Sequence, residues 1–183
     1  MMTKHQLRQQ YLAMRRAMTD RPQKSRIIAK RLFVDGKPQW NHVFCYLSFA
    51  NEVDTAGIIQ QMLEWGIQVS VPVCDPVTCT MTPSLISSLA NCKKNTYGIL
   101  EPIKTVQPDI PLDAALIPGV VFSRDGHRIG FGKGYYDRFL SGLDKQPLKI
   151  GLCYDWQLTE HLPHQSHDIT MDRIITDERM LQI

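Results

Sequence analysis

Leu7, Tyr11, Met14 and Met18 recur at spacings of four, three and four, and this apolar stripe predicts a helix over Lys4 to Met18 with Thr3 as its N-cap. Lys4, Arg8 and Arg15 form a second stripe. At about 100° per residue it lies roughly 70° around from the first, at the edge of the buried face, with Arg16 pointing further away. A solvated face and a charged face held beside the body fit that stripe equally well. After the break at Asp20-Arg21-Pro22, a second amphipathic helix is expected around Ile27, Ile28 and Leu32.

The apolar run His42 to Leu47 has the length and composition of a strand, and the small polar residues Ser48 to Thr55 read as a loop. Asp54 or Thr55 can cap a helix through Ile58, Ile59, Met62 and Leu63 that Gly66 closes, and Ile67 to Val73 returns as a strand. Strand, helix and strand at this spacing form a βαβ unit, the building block of a parallel sheet. Ala114 to Pro118 and Leu148 to Tyr154 add strands, Tyr135 to Ser141 a helix between them, and Arg173 to Thr176 a closing strand. Cys74 to Asp113, rich in Pro, Thr, Ser and Asn, carries no readable period. The pattern predicts one domain over residues 1–183, with a three-layer α/β/α architecture, a mostly parallel central sheet, and N-terminal helices over residues 3–34 packed on the α/β body.

Composition narrows the functional classes. The 183 residues are 43% hydrophobic and 21% charged, as in ordinary globular domains. No apolar run has the length of a membrane span, and Met1 to Arg16 lacks the apolar core of a signal peptide, so a cytoplasmic location is expected. A net charge of +3 without a long Lys/Arg run favours small anionic ligands over nucleic acid. Cys45, Cys74, Cys79, Cys92 and Cys153 form no CxxC pair and are expected as free thiols.

The candidate chemistry concentrates in Leu116 to Leu140. A strand ends at Pro118-Gly119, a turn follows at Asp125-Gly126, and Arg128-Ile129-Gly130-Phe131-Gly132-Lys133-Gly134-Tyr135-Tyr136-Asp137 leads into the helix. Alternate glycines leave amides bare for an anion, and Arg128 and Lys133 can meet phosphate oxygens. The loop is neither a Walker A loop nor a Rossmann fingerprint, and its glycines would also serve a plain bend. Asp137 could hold Mg²⁺ against phosphates or simply cap a helix. Glu52 follows the first strand, where open α/β sheets bind ligands, and could accept hydrogen bonds from a donor-rich heterocycle such as a pterin or serve as a loop acid. His161, His164 and His167 have a spacing compatible with a metal or with solvated loop histidines.

The segment Pro118 to Leu140 resembles the nucleotide-binding signature of the 5-formyltetrahydrofolate cyclo-ligase (methenyltetrahydrofolate synthetase) family. Lys4-His5-Gln6-Leu7-Arg8, Asn51-Glu52-Val53-Asp54-Thr55 and Asp172-Arg173-Ile174-Ile175-Thr176 fit in order, so the resemblance spans nearly the whole chain. Ser123 stands where the family commonly has Asp, and Ile129 where it has Leu. The resemblance implies ATP- and Mg²⁺-dependent conversion of 5-formyltetrahydrofolate to 5,10-methenyltetrahydrofolate, with ADP and phosphate released through a phosphorylated formyl group, an iminium phosphate. It implies ATP around Lys4, His5, Gln6, Leu7 and Arg8 and around Arg128, Ile129, Gly130, Phe131, Gly132, Lys133, Gly134, Tyr135 and Tyr136. It implies Mg²⁺ on Asp137 and Asp172, and folate, with or without a polyglutamate tail, at Leu47, Glu52, Tyr97 and Phe131 to Tyr135. Lys133 and Arg128 are the expected catalytic cations, and a monomer is expected. A non-catalytic nucleotide-binding module, and an isomerase- or CoA-transferase-like enzyme working without ATP, are the competing readings.

Overall fold

Alternation along three short strands decides the layering. In the computed structural model, which describes residues 2–96 and 98–183, β1 (His42–Cys45) sends Val43 and Cys45 into one buried cluster and Phe44 into another. Strands further along the chain do the same: Ala114 and Leu116 face the first cluster and Ala115 and Ile117 the second, while Ile175 and Ile174 part in the same way. A strand buried on both faces needs a layer on each side, and the helices supply it.

In chain order the elements are helix α1 (Lys4–Ala17), helix α2 (Arg21–Leu32), β1, helix α3 (Ala56–Glu64), and strands β2 (Gln68–Asp75), β3 (Thr80–Ile86), β4 (Cys92–Lys94), β5 (Leu100–Pro102), β6 (Ala114–Ile117), β7 (Val121–Ser123) and β8 (Arg128–Ile129). Helix α4 (Tyr135–Ser141) and strands β9 (Leu148–Leu152), β10 (Leu158–Thr159), β11 (Arg173–Ile175) and β12 (Met180–Gln182) complete the chain. The central sheet has the order β12-β11-β9-β6-β1-β2-β3. Its inner pairs are parallel, and β3 and β12 add antiparallel edges. Helices α2 and α3 cover the first cluster through Ile28, Leu32, Ile58, Ile59 and Met62, and α4 covers the second through Leu140. The small sheet β10-β7-β8 supports α1 through Leu7 and Tyr11, which pack on Val121, Ile129 and Leu162. The expected three-layer α/β/α architecture with a mostly parallel sheet is the one observed. Among the described residues no helix is long and apolar enough to cross a membrane.

Several expectations need adjustment. Thr3 caps α1 in a reciprocal capping box with Gln6, as its position predicts. Met14, however, is 42% exposed, and the buried residue of that turn is Arg15. The inward face of α1 and its cap is therefore Lys4, Leu7, Arg8, Tyr11, Leu12, Arg15 and Met18, in which charged side chains join the apolar stripe. In α2 the buried positions are Ser25, Ile28 and Leu32, one helical face, and Ile27 stands off it. The first strand ends at Cys45 rather than Leu47, because the Thr55 hydroxyl donates to the Tyr46 carbonyl at 2.7 Å and takes over its pairing. The expected strand Ile67 to Val73 is β2, Gln68–Asp75, and the unreadable middle holds its antiparallel partner β3. Pro83, opposite Pro72, interrupts the strand signature of β3.

Candidate active site

The carboxyl ends of β1 and β6 release two loops, residues 46–55 and 118–134, and α1 lies across both. The second loop turns at Gly126 (φ 89°), returns along β8, and runs through Gly130 to Gly134 into α4. Gly132 (φ 97°) and Gly134 (φ 68°) hold left-handed backbone that side chains strain to adopt. A Cβ on Gly132 would also lie 3.2 Å from the Arg8 guanidinium carbon. The amides of Gly130 to Gly134 make no hydrogen bond within the described residues, which leaves a row of bare donors.

Cations surround that row. Arg8 Nε donates to the Gly130 carbonyl at 2.7 Å, and Lys4 Nζ pairs with Asp168 at 2.5 Å. Lys133 is exposed and its ammonium is bound by no group among the described residues. Arg128 is buried, with Nη2 3.1 Å from Asp137 Oδ1, its guanidinium 5.4 Å from the Tyr136 ring centre, and a buried Nε without an acceptor. Burial pulls the Arg128 pKa below its usual value, and Asp137 offsets part of that. His5 and Gln6 sit on the exposed side of α1, where Gln6 serves the cap; Leu7 packs on Val121 and Ile129 of the small sheet.

Arg138 fixes the loop from the far side. Its Nη2 donates to the carbonyls of Lys133 (2.6 Å) and Cys79 (2.7 Å), and Nε also donates to Cys79 (3.1 Å), so the β2–β3 hairpin tip and the glycine loop share one guanidinium. Tyr135 donates its hydroxyl to the Asp75 carbonyl at 3.4 Å, on the same hairpin. Tyr136 meets Phe44 edge-on.

On the other loop, Leu47 and Glu52 are both buried. Glu52 Oε2 accepts from the Phe49 amide at 2.9 Å, and its main-chain oxygen accepts from Arg21 Nε (2.7 Å) and the Tyr154 hydroxyl (3.1 Å). Burial raises the Glu52 pKa, against the Phe49 hydrogen bond and the charges of Arg15 and Arg21. Between this loop, α1 and the glycine loop lies a cavity of ≈ 240 Å³ lined by Leu12, Arg15, Arg16, Phe49, Asn51 and Phe131, among others. Ala50 in that wall has a φ of 51°, unusual for a residue with a Cβ.

The structure thus brings together Lys4, Arg8, Arg128, Gly130 to Tyr136 and Asp137, while Leu47 and Glu52 are buried on the neighbouring loop, whose Phe49, Ala50 and Asn51 wall the cavity. It does not bring Asp172 to Asp137. Asp172 precedes β11 at the amino ends of the strands, where its Oδ2 accepts from the Lys149 amide (2.7 Å) and pairs with Lys149 Nζ (2.9 Å). Asp137 Oδ1 accepts from Arg128 and from the Ile169 amide, and its Oδ2 receives no protein donor. Among the described residues no three His, Cys, Asp or Glu side chains converge as a metal cage. His164 stacks on His127 at 3.8 Å, and His161 reaches Asp125. Tyr97 lies outside the described residues. Arg15, Arg21, Phe49, Arg138 and Asp168 are contributors that the sequence reading left out of the site. The position of Arg15 on the basic stripe was the one signal for it.

Residues 1–177 match the family model described as the 5-formyltetrahydrofolate cyclo-ligase family. The chain belongs to that family. The 5-formyltetrahydrofolate cyclo-ligase of Haemophilus influenzae is 33% identical over 142 residues, 75% of this chain and 76% of its own length. The solution structure of Aquifex aeolicus 5,10-methenyltetrahydrofolate synthetase superposes with a TM-score of 0.83 at 27% identity, covering 99% of this chain and 93% of that one. A 5,10-methenyltetrahydrofolate synthetase from Mycoplasma pneumoniae gives 0.77 at 28% identity over 96% of this chain and 99% of its own. The cyclo-ligase match takes in the α1 stripe, the Glu52 loop and the glycine loop together.

Proposed function

We propose that the chain closes the ring of 5-formyltetrahydrofolate to give 5,10-methenyltetrahydrofolate, with ATP and Mg²⁺ as co-reactants. The observation that carries this reading is the row of free amides at Gly130 to Gly134, ringed by Arg8, Arg128 and Lys133, beside a cavity walled by the loop that carries the buried Glu52. Such a row recognises the oxygens of a polyphosphate, with the cations neutralising its charge. Glu52 keeps one oxygen free of protein donors, which suits the adjacent N–H groups of a pterin.

ATP, when bound, supplies the phosphoryl group that converts a formyl oxygen into part of a leaving group, as an iminium phosphate. The protein's own tasks are to hold that oxygen in line, to neutralise charge with Lys133 and Arg128, and to exclude water behind Phe131 and Phe49. Magnesium takes one or two carboxylates with phosphate and water oxygens. Asp137, beside the loop with Oδ2 free, fits that demand. Asp172, paired with Lys149 at the amino ends of the strands, does not stand beside it.

Phosphate release from ATP should begin on addition of 5-formyltetrahydrofolate and stop when Mg²⁺ is chelated. ATP bound without phosphate release would leave a binding module instead. Asp137→Asn should raise the Mg²⁺ concentration needed for half-maximal rate about tenfold or more, by loss of a charged ligand. Asp172→Asn in the same titration decides whether the second carboxylate joins. Arg138→Ala, which frees the Lys133 carbonyl, should raise the KM for ATP by about tenfold at near-normal stability. Steady-state kinetics with ATP varied checks it; an unchanged KM would show that the loop holds its shape without Arg138.

A further inference from the structure

Arg15 is only 3% exposed, yet no ion-pair partner is assigned to it among the described residues. Its one hydrogen bond is long, from Nη1 to the Gly119 carbonyl at 3.4 Å, and Gln157 Nε2 already serves that oxygen at 3.3 Å. The guanidinium lies 5.4 Å from the centre of the Phe131 ring, and Asn51 Nδ2 donates to the Arg15 carbonyl at 2.9 Å, tying the Glu52 loop to α1. A buried charge without a partner costs stability, so packing alone gives no reason for an arginine here.

We propose that Arg15 is a positioning residue of the folate site, seating Phe131 against the Glu52 loop as the outer wall of the cleft. The inference rests on the folate reading of the Glu52 cleft. Five ionisable groups act on Glu52 or touch it: Arg15 of α1, Arg21 at the start of α2, Tyr46 after β1, Tyr136 of α4 and Tyr154 after β9. Burial raises the pKa of all three tyrosines, so they stay neutral at physiological pH. That leaves two cations to oppose the desolvation of Glu52, and Arg21 spends its Nε on the main-chain oxygen. Without Arg15 the Glu52 pKa rises further, and recognition that needs the carboxylate fails at a higher pH.

The test compares wild type, Arg15→Met and Arg15→Lys as full-length proteins. In Arg15→Met the acid limb of kcat/KM for 5-formyltetrahydrofolate should move up by about one pH unit, and its KM should rise about tenfold, with the KM for ATP nearly unchanged. Arg15→Lys, which keeps the charge, should bring the limb most of the way back. Thermal unfolding of Arg15→Met should change by only a few degrees, because relief of the buried guanidinium and the weaker support of Glu52 oppose each other. An unmoved limb, a rise in the KM for ATP instead, or an unstable Arg15→Met protein would each overturn the inference. Wild type inert toward the folate would overturn the parent reading with it, whereas an active wild type with an unmoved limb overturns this inference alone.

Discussion

Replacing Lys133 with alanine is expected to lower turnover about a hundred- to a thousandfold, the size of effect seen when one preorganised electrostatic stabiliser is removed. The fold should not notice. Lys133 is exposed, its ammonium pairs with no group among the described residues, and the Arg138 anchor uses its main-chain oxygen, which alanine keeps. The melting temperature should therefore stay within about 2 °C of wild type. Single-turnover kinetics at saturating ATP check the prediction, since a lost transition-state contact lowers kcat whereas lost ground-state binding raises KM. Near-normal turnover would take Lys133 out of the chemistry.

Phe122→Ala should have the largest effect on stability. The ring is fully buried on β7 and wedged between two backbones: a Cβ on Gly119 would lie 2.5 Å from it, and one on Gly151 of β9 would lie 2.6 Å away. Those glycines exist so that the small sheet can press onto the large one. Emptying the space should cost about 3–5 kcal/mol, which for a domain of this size lowers the melting temperature by roughly 6–20 °C. Because Gly119 begins the stretch that leads to the glycine loop, ATP affinity should fall as well. Calorimetry and nucleotide titration of the variant check both, and a loss of under 1 kcal/mol, by the same scale, would mean that the two sheets do not depend on this ring.

What could be read from the sequence follows from how local each signal is. Helix α4 has the predicted bounds, Tyr135–Ser141, because the preceding glycines and its short apolar run lie within a few residues of each other. β1 and β6 were legible as apolar runs, since strands buried on both faces carry no alternation to misread. β2 was legible too, over Ile67 to Val73, but its partner β3 was not, because Pro83 interrupts its alternation in a stretch rich in turn-forming residues. The glycine loop announced itself by spacing. Its company did not: Asp168, which holds Lys4, lies in the segment that reads as loop histidines, and the Lys149 that occupies Asp172 comes from a strand far along the chain. The burial of Arg15 in place of Met14 was illegible for a different reason. Apolar letters predict which helical face can be buried, whereas a functional face buries charge at a cost that only the assembled cleft explains.

The central claim is that the free amides between Gly130 and Gly134, with the Glu52 loop beside them, bring a nucleotide triphosphate and a formylated folate together for ring closure. The most direct measurement is the near-ultraviolet absorbance of the methenyl product when the purified protein meets 5-formyltetrahydrofolate and Mg²⁺, with and without ATP. The account predicts a steady rise with ATP and none without it. A rise that ignores ATP, or a flat trace in its presence, would contradict it.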